Sequence, residues 1–345
     1  MDDTEFDPGA WTSRLFRDHE RRYAYDGETG DALRAWQAAF REDLRSVLGQ
    51  DVIADAGVPS LAPTRTDSES LDGYERQRWT IQTETGLRLP FYLLLPDDPD
   101  PPYPTVLVAH GHGDGAKEVA VGRAETDEQR RQIEEDERDI AVQAVERGYA
   151  ALAPDMRGMG ELTNPADEEM GYRTCHTMQL HAQLFGRSLV GDRVWDVTRL
   201  IDFVEGRDDL DDGRIALTGH SGGGAVTLFA AAIDERIDVA APSSYFCTFE
   251  DSIASIDHCE CNYLPGVLGL GEMWDVAGLI APRPFVAVAG REDEIFPIDG
   301  VFRSFDRLSE IYEAAGALDR CELVVGPGGH RYYADGVWPF VAQHL

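Results

Sequence analysis

Residues 214–232 read RIALTGHSGGGAVTLFAAA. An apolar run, RIALTG, meets Gly219-His220-Ser221-Gly222-Gly223 and passes into a small, apolar stretch with helical character. This is the G-x-S-x-G arrangement of a nucleophile elbow. A sharp strand-to-helix turn lifts one serine out of the backbone, and glycines on either side let neighbouring chain segments approach closely. The five-residue pattern alone is common. Its placement between a strand and a helix of small residues is what the motif demands.

Outward from this stretch, apolar runs alternate with helical patterns. TVLVAH (105–110) is continuous and apolar, as a strand buried on both faces should be. YAALAP, IDVAAP, PFVAVAG and CELVVG supply further strands. Helical patterns lie near 125–147, 192–205, 299–315 and 333–345. This alternation predicts an α/β protein with a mostly parallel central sheet flanked by helices, the α/β-hydrolase fold. Before it, WTIQTETG and LRLPFYLLLP flank a turn near Gly86 and read as a hairpin. Residues 1–60 read as helices, with Leu33, Trp36, Phe40, Leu44, Val47 and Leu48 at helical spacing. They are expected to cap the core or to form a dimer arm. LAPTRTDSESLDG (61–73) reads as a polar linker. The expected division is an N-terminal helical extension and linker over 1–74 and a catalytic domain over 75–345. Segments 160–190 and 243–280 are candidate lids. Tyr245, Phe246, Phe249, Tyr263 and Trp274 in the second are either core or pocket wall.

A serine hydroxyl is a weak nucleophile at neutral pH and needs a base held by an acid. In this fold the acid follows a late strand and the histidine follows the last one. PFVAVAG ends at Gly290, and GREDEIFP follows. Its pattern selects Asp293 as the acid, with Glu292 and Glu294 as solvated neighbours. CELVVG runs into PGGH and presents His330 as the base. Two donors for the developing oxyanion are expected from backbone N–H groups. One is Gly222, directly after the nucleophile. The other is His112, in the loop His110-Gly111-His112-Gly113.

The chain resembles the acetyl xylan esterase and dienelactone-hydrolase-like branch of the α/β hydrolases over about residues 75–345. The carriers are VLVAHGHG, APDMRGMG, LFGRSLVGDRVWDVTRLIDF, GRIALTGHSGGG, HCECNYLPG, DVAGLIAPRP and GREDEIFPI. The resemblance implies hydrolysis of small esters with no cofactor. Two positions depart from the better-known members. Dienelactone hydrolases use a cysteine nucleophile where this chain has Ser221, and acetyl xylan esterases usually carry an aromatic residue where it has His112. The alternatives are a serine peptidase of the prolyl-oligopeptidase type and a binding protein built on a hydrolase fold. The first 75 residues are too few for the propeller of the former, and binding proteins of the latter kind usually lose a triad member.

Composition narrows the partners. Acidic residues number 64 against 31 basic ones, a formal net charge of −33, and Lys117 is the only lysine. Carboxylates spread along the whole chain fit a protein of a salt-loving organism. Phosphate-binding basic stripes are missing, so nucleic acid is not expected as a partner. No apolar run approaches the ~18 residues of a membrane helix, and MDDTEFDPGA is not a secretory signal. Arg21 and Arg22 are followed by YAYDGETG rather than an apolar stretch, which does not suit a twin-arginine signal. A cytoplasmic location, a small-molecule ester as substrate and self-association through the N-terminal helices are the expectations. The five cysteines, Cys175, Cys247, Cys259, Cys261 and Cys321, are expected as reduced thiols. His258-Cys259-Glu260-Cys261, with His176 and His181 upstream, lacks the usual C-x2–4-C spacing and a second ligand pair, so no metal is expected.

Overall fold

The computed structural model describes residues 7–345, so most of the acidic start MDDTEFDPGA, read above for a signal, lies outside the described residues. Three helices come first: α1 (Pro8–Asp18), α2 (Gly30–Leu48) and α3 (Gln50–Asp55). Then follow β1 (Thr64–Leu71), β2 (Tyr74–Glu84), β3 (Leu87–Pro96) and β4 (Tyr103–Ala109). Three short helices, α4 (Lys117–Ala120), α5 (Asp127–Glu134) and α6 (Ile140–Val145), lead to β5 (Ala150–Pro154). Next are α7 (Pro165–Glu169), α8 (His176–Leu184), α9 (Leu189–Glu205), β6 (Leu210–His220), α10 (Gly222–Ile233) and β7 (Val239–Ser243). The chain ends with α11 (Val267–Leu270), α12 (Met273–Gly278), β8 (Phe285–Gly290), α13 (Ile298–Ala314), β9 (Cys321–Gly326) and α14 (Ala334–His344).

The strands form one nine-stranded sheet in the order β1-β2-β3-β5-β4-β6-β7-β8-β9. From β5 through β9 every neighbouring pair is parallel, while β1, β2 and β3 join antiparallel at one edge. This is the α/β-hydrolase fold. The central strands β4, β6, β7 and β8 are apolar because helices cover both faces. Val106, Ala216, Val239 and Val286 meet α6 and α14 on one side, and Leu107, Leu217 and Ala240 meet the α9–α10 layer on the other. Helix α10 is buried along its whole length, so its glycines and alanines let it lie close under the sheet.

Two expectations change here. Residues 64–71 form an edge strand rather than part of a linker. Its side chains are exposed except at Leu71, so TRTDSESL carries no apolar alternation to signal pairing. The charged helix expected over 125–147 breaks into α5 and α6, separated by residues 135–139 with Glu137 at φ 55°. The N-terminal helices divide in role. Leu33, Trp36, Phe40, Leu44 and Leu48 of α2 are buried in the main core, whereas α1 buries no residue and leaves Trp11 and Leu15 exposed.

Segment 243–280 is largely core. Tyr245, Phe246 and Phe249 are buried, Trp274 is partly buried with the Arg21 guanidinium on its ring, and Tyr263 is exposed. Glu272 ties this segment together, accepting hydrogen bonds from the backbone N–H of Phe249 at 3.0 Å and Met273 at 2.7 Å. Burial pushes its carboxyl up to about 7 despite those bonds. A folded-state value above the unfolded one means that the folded chain holds the extra proton between them, so stability is present at low pH and lost as pH rises through 7. The urea midpoint should therefore fall between pH 5 and 8 in the wild type, and Glu272→Gln should flatten that fall. Equal slopes in both proteins would exclude Glu272 as the cause.

Candidate active site

The elbow follows from local sterics. Ser221, between β6 and α10, has φ 56° and ψ −115°, a conformation that costs a non-glycine residue on the order of 1–3 kcal/mol. Its N–H is held by the Ser243 carbonyl at 2.9 Å. A Cβ at Gly223 would lie 1.9 Å from the Ala109 oxygen, so only glycine lets α10 approach β4 here.

The candidate acid and base, Asp293 and His330, lie on the loops after β8 and β9. Asp293, after β8, is 4% exposed, while Glu292 and Glu294 on either side face solvent. Its Oδ1 accepts the N–H groups of Ile295 at 2.9 Å and Phe296 at 3.1 Å, and its Oδ2 lies 2.8 Å from Nδ1 of His330. The two loops touch through Gly290, where a Cβ would sit 2.2 Å from the Gly329 oxygen. Tyr333 Oη donates to that same Gly329 oxygen at 2.8 Å, and Ser244 Oγ donates to the Arg331 carbonyl at 2.8 Å. The His330 ring stacks on Phe296 at 5.7 Å and lies 4.7 Å from the ring of His220, the residue before Ser221. Among the described residues no hydrogen bond joins the Ser221 hydroxyl to His330.

Other histidines crowd the site. Burial holds His110 and His258 down to about 4 and keeps His220 well below the usual imidazole range. Neither ring nitrogen of His220 has a hydrogen-bond partner among the described residues. His110 Nε2 accepts the N–H of Met156 at 3.0 Å, which fastens the His110–Gly113 loop, the candidate oxyanion loop, to the APDMRGMG turn. In that turn Arg157 grips Asp196 of α9 through two bonds of 2.7 and 2.6 Å.

The structure brings Gly111-His112 against the elbow. A Cβ at Gly111 would lie 3.2 Å from Cβ of Ser221, and one at Gly222 would lie 2.9 Å from Nδ1 of His112 and 4.0 Å from its backbone N. The backbone groups of His112 and Gly222 therefore flank the serine. Arg138 braces the loop from behind, donating to the His112 carbonyl at 2.9 Å. A cavity of about 1100 Å³ opens beside the loop, lined by His112, Arg78, Lys117, Glu161 and Arg173 among others; no triad candidate lines it. Lys117, the lone lysine, is buried at its edge and paired with Asp155 at 2.7 Å and Glu161 at 2.6 Å.

The sequence set a metal aside for want of a second ligand pair. The fold instead gathers His112, Cys175, Cys259 and Cys261, whose ligand atoms all lie within 4.8 Å of one another. His176 is spent on Glu260 at 3.0 Å, and His258 faces the Asn262 amide at 3.0 Å. No spacing signal could reveal this cluster, because its members come from three distant segments.

The sequence model described as the Abhydrolase family matches residues 12–324. YtaP of Bacillus subtilis (strain 168), whose name marks it as a candidate hydrolase, is 26% identical over 249 residues, spanning 70% of this chain and 78% of that protein. Among solved structures, a candidate acetyl xylan esterase from Bacteroides fragilis NCTC 9343 superposes with a TM-score of 0.75 at 19% identity, over 92% of this chain and 81% of that one. A glucuronoyl esterase from Solibacter usitatus gives 0.67 at 16% identity, over 93% and 95%. These structural likenesses concern the fold.

Proposed function

The chain belongs to the Abhydrolase family, and from that premise we propose that it is a serine hydrolase of carboxylic esters, acting on short acyl esters through an acyl-enzyme. The observation that carries this reading is a strained Ser221 directly after His220, whose ring lies 4.7 Å from that of His330, and a His330 whose Nδ1 lies 2.8 Å from a buried Asp293. Asp293 keeps the proton on Nδ1, so Nε2 is free to take the serine proton as Oγ attacks the ester carbonyl. The tetrahedral oxyanion is received by the N–H groups of Gly222 and His112. His330 then protonates the leaving alcohol, and water repeats the cycle on the acyl-enzyme. The names of the structural neighbours point to acetylated or otherwise esterified sugars.

The test is hydrolysis of p-nitrophenyl acetate, butyrate and octanoate and of acetylated xylo-oligosaccharides, all in molar salt. Acetate should be cleaved fastest, with acetate released from the oligosaccharides. Hydrolysis of none of these esters, together with cleavage of a prolyl peptide, would reverse the assignment. Asp293→Asn should lower kcat by about 10⁴ with the fold retained, because asparagine favours the wrong imidazole tautomer. A loss under tenfold would remove Asp293 from the triad.

A further inference from the structure

We propose that His112, Cys175, Cys259 and Cys261 form a structural Zn²⁺ site that clamps two roof segments, the candidate lids 160–190 and 243–280, to the oxyanion loop. His112 Nε2 lies 3.4 Å from Sγ of Cys175 and 3.4 Å from Sγ of Cys261, which is itself 3.4 Å from Sγ of Cys259. Zinc held tetrahedrally at ~2.3 Å from sulfur and ~2.0 Å from nitrogen needs ligand–ligand edges of about 3.5–3.8 Å. The observed separations, from 3.4 Å to no more than 4.8 Å, bracket that range. Three soft sulfurs and one imidazole are the donor set of a closed structural zinc site. All five cysteines are free thiols, and the 3.4 Å between Cys259 and Cys261 is far beyond a disulfide's ~2.05 Å.

A second observation is independent of these distances. Arg193 is among the largest wholly buried side chains, and it forms no ion pair with a carboxylate among the described residues. Its guanidinium donates to the Arg157 carbonyl at 2.9 and 2.6 Å and to Sγ of Cys175 at 3.0 Å. A buried cation without a counter-charge is costly. Zinc bound by three thiolates and a neutral imidazole carries a net charge of −1, which Arg193 balances.

The site's position gives it a consequence. Cys175 precedes α8 in the first roof segment, Cys259 and Cys261 lie in the second, and His112 is the residue whose backbone N–H is assigned to the oxyanion. Cys175 and Cys261 lie 63 and 149 residues from His112 along the chain, so one ion closes two long loops. The roof segments already meet through His176–Glu260 and through Gln179 Nε2, which donates to the Tyr263 carbonyl at 3.0 Å. The ion ties that assembly to the catalytic loop. Zinc also reconciles His112 with the resemblance, which leads one to expect an aromatic ring there. The imidazole packs on Gly222 and reaches the metal with its far nitrogen.

The test measures metal directly, on the full chain purified in molar KCl without chelator and after addition of ZnCl₂. Elemental analysis should give about one zinc per chain, and X-ray absorption should show three sulfurs near ~2.3 Å and one nitrogen. Cys261→Ser should lose the ion and lower the melting temperature by at least ~5 °C. Cys247→Ser and Cys321→Ser, which alter thiols outside the cluster, should keep it. Should Cys261→Ser fail to fold, His112→Gln provides the same zinc readout. Less than ~0.1 zinc per chain after addition of ZnCl₂, a disulfide among the three cysteines, or iron in place of zinc would overturn the proposal. Zinc content is read without any ester, so its outcome stands apart from the esterase assignment.

Discussion

Ser221→Ala is expected to lower kcat for p-nitrophenyl acetate by about 10⁴–10⁶-fold, because members of a triad act as a unit and removing the nucleophile removes the whole covalent route. The remaining rate should be that of a polarising pocket with no acyl-enzyme. Ser221→Gly should lose activity equally but differ from Ser221→Ala in stability. The wild-type residue sits at φ 56° and ψ −115°, where any side chain is strained and glycine is not. The glycine variant should therefore be more stable than the alanine variant, by on the order of 1 kcal/mol or more. Urea unfolding of both variants, beside their esterase rates, checks the two claims together. A glycine variant that is inactive and less stable than alanine would mean that the elbow is not strained as described. Retained activity in either would remove Ser221 from the chemistry.

Salt should act on the fold almost as strongly. The chain carries a formal net charge of −33 and one lysine, and that lysine is buried. Arginine forms ion pairs such as Arg236 with Asp202, Glu205 and Asp234, but the supply of arginine runs out well before the supply of carboxylates. At ~0.01 M salt the screening length is ~30 Å, so acids across the whole surface repel one another; at ~1 M it is ~3 Å. Screening also weakens the surface pairs, yet such pairs contribute little individually. Repulsion is therefore the larger quantity, and salt relieves it. With a native stability of only ~5–15 kcal/mol, this relief can decide whether the chain stays folded. The melting temperature should rise steadily from millimolar to molar KCl, with little rescue by sucrose at matched osmotic strength. A flat or falling curve would mean that the acidity serves a cationic partner rather than a saline surrounding.

The parts of this fold with strong local signals were legible in the sequence. TVLVAH, RIALTG and PFVAVAG are buried on both faces, so their apolar runs announced parallel strands. The order of Ser221, Asp293 and His330 along the chain is the one the fold leads one to expect, and the structure sets Asp293 beside His330. Asp293 could be chosen over Glu292 and Glu294 from its place in GREDEIFP, and burial separates the three in the same way. Strand β1 escaped because its residues are polar and exposed, and it pairs with β2 through the backbone ladder and polar side-chain bonds such as Arg76–Glu69 instead of an apolar face. The cluster of His112, Cys175, Cys259 and Cys261 escaped for a different reason. A metal site read from sequence needs its ligands in short spacings, and here the spacing is supplied by the tertiary fold. The roof also resisted reading, since Tyr245, Phe246 and Phe249 look alike as pocket wall or core until their burial is known.

The central claim is that Ser221 becomes acylated. Its most direct test is intact-protein and peptide mass spectrometry after reaction with a fluorophosphonate in molar KCl, with Asp293→Asn treated in parallel. One adduct per chain is expected, on the peptide containing Gly219-His220-Ser221-Gly222-Gly223, with much slower labelling of the variant. Labelling at any other residue, or no labelling of a folded chain that still hydrolyses p-nitrophenyl acetate, would contradict the assignment of Ser221 as nucleophile.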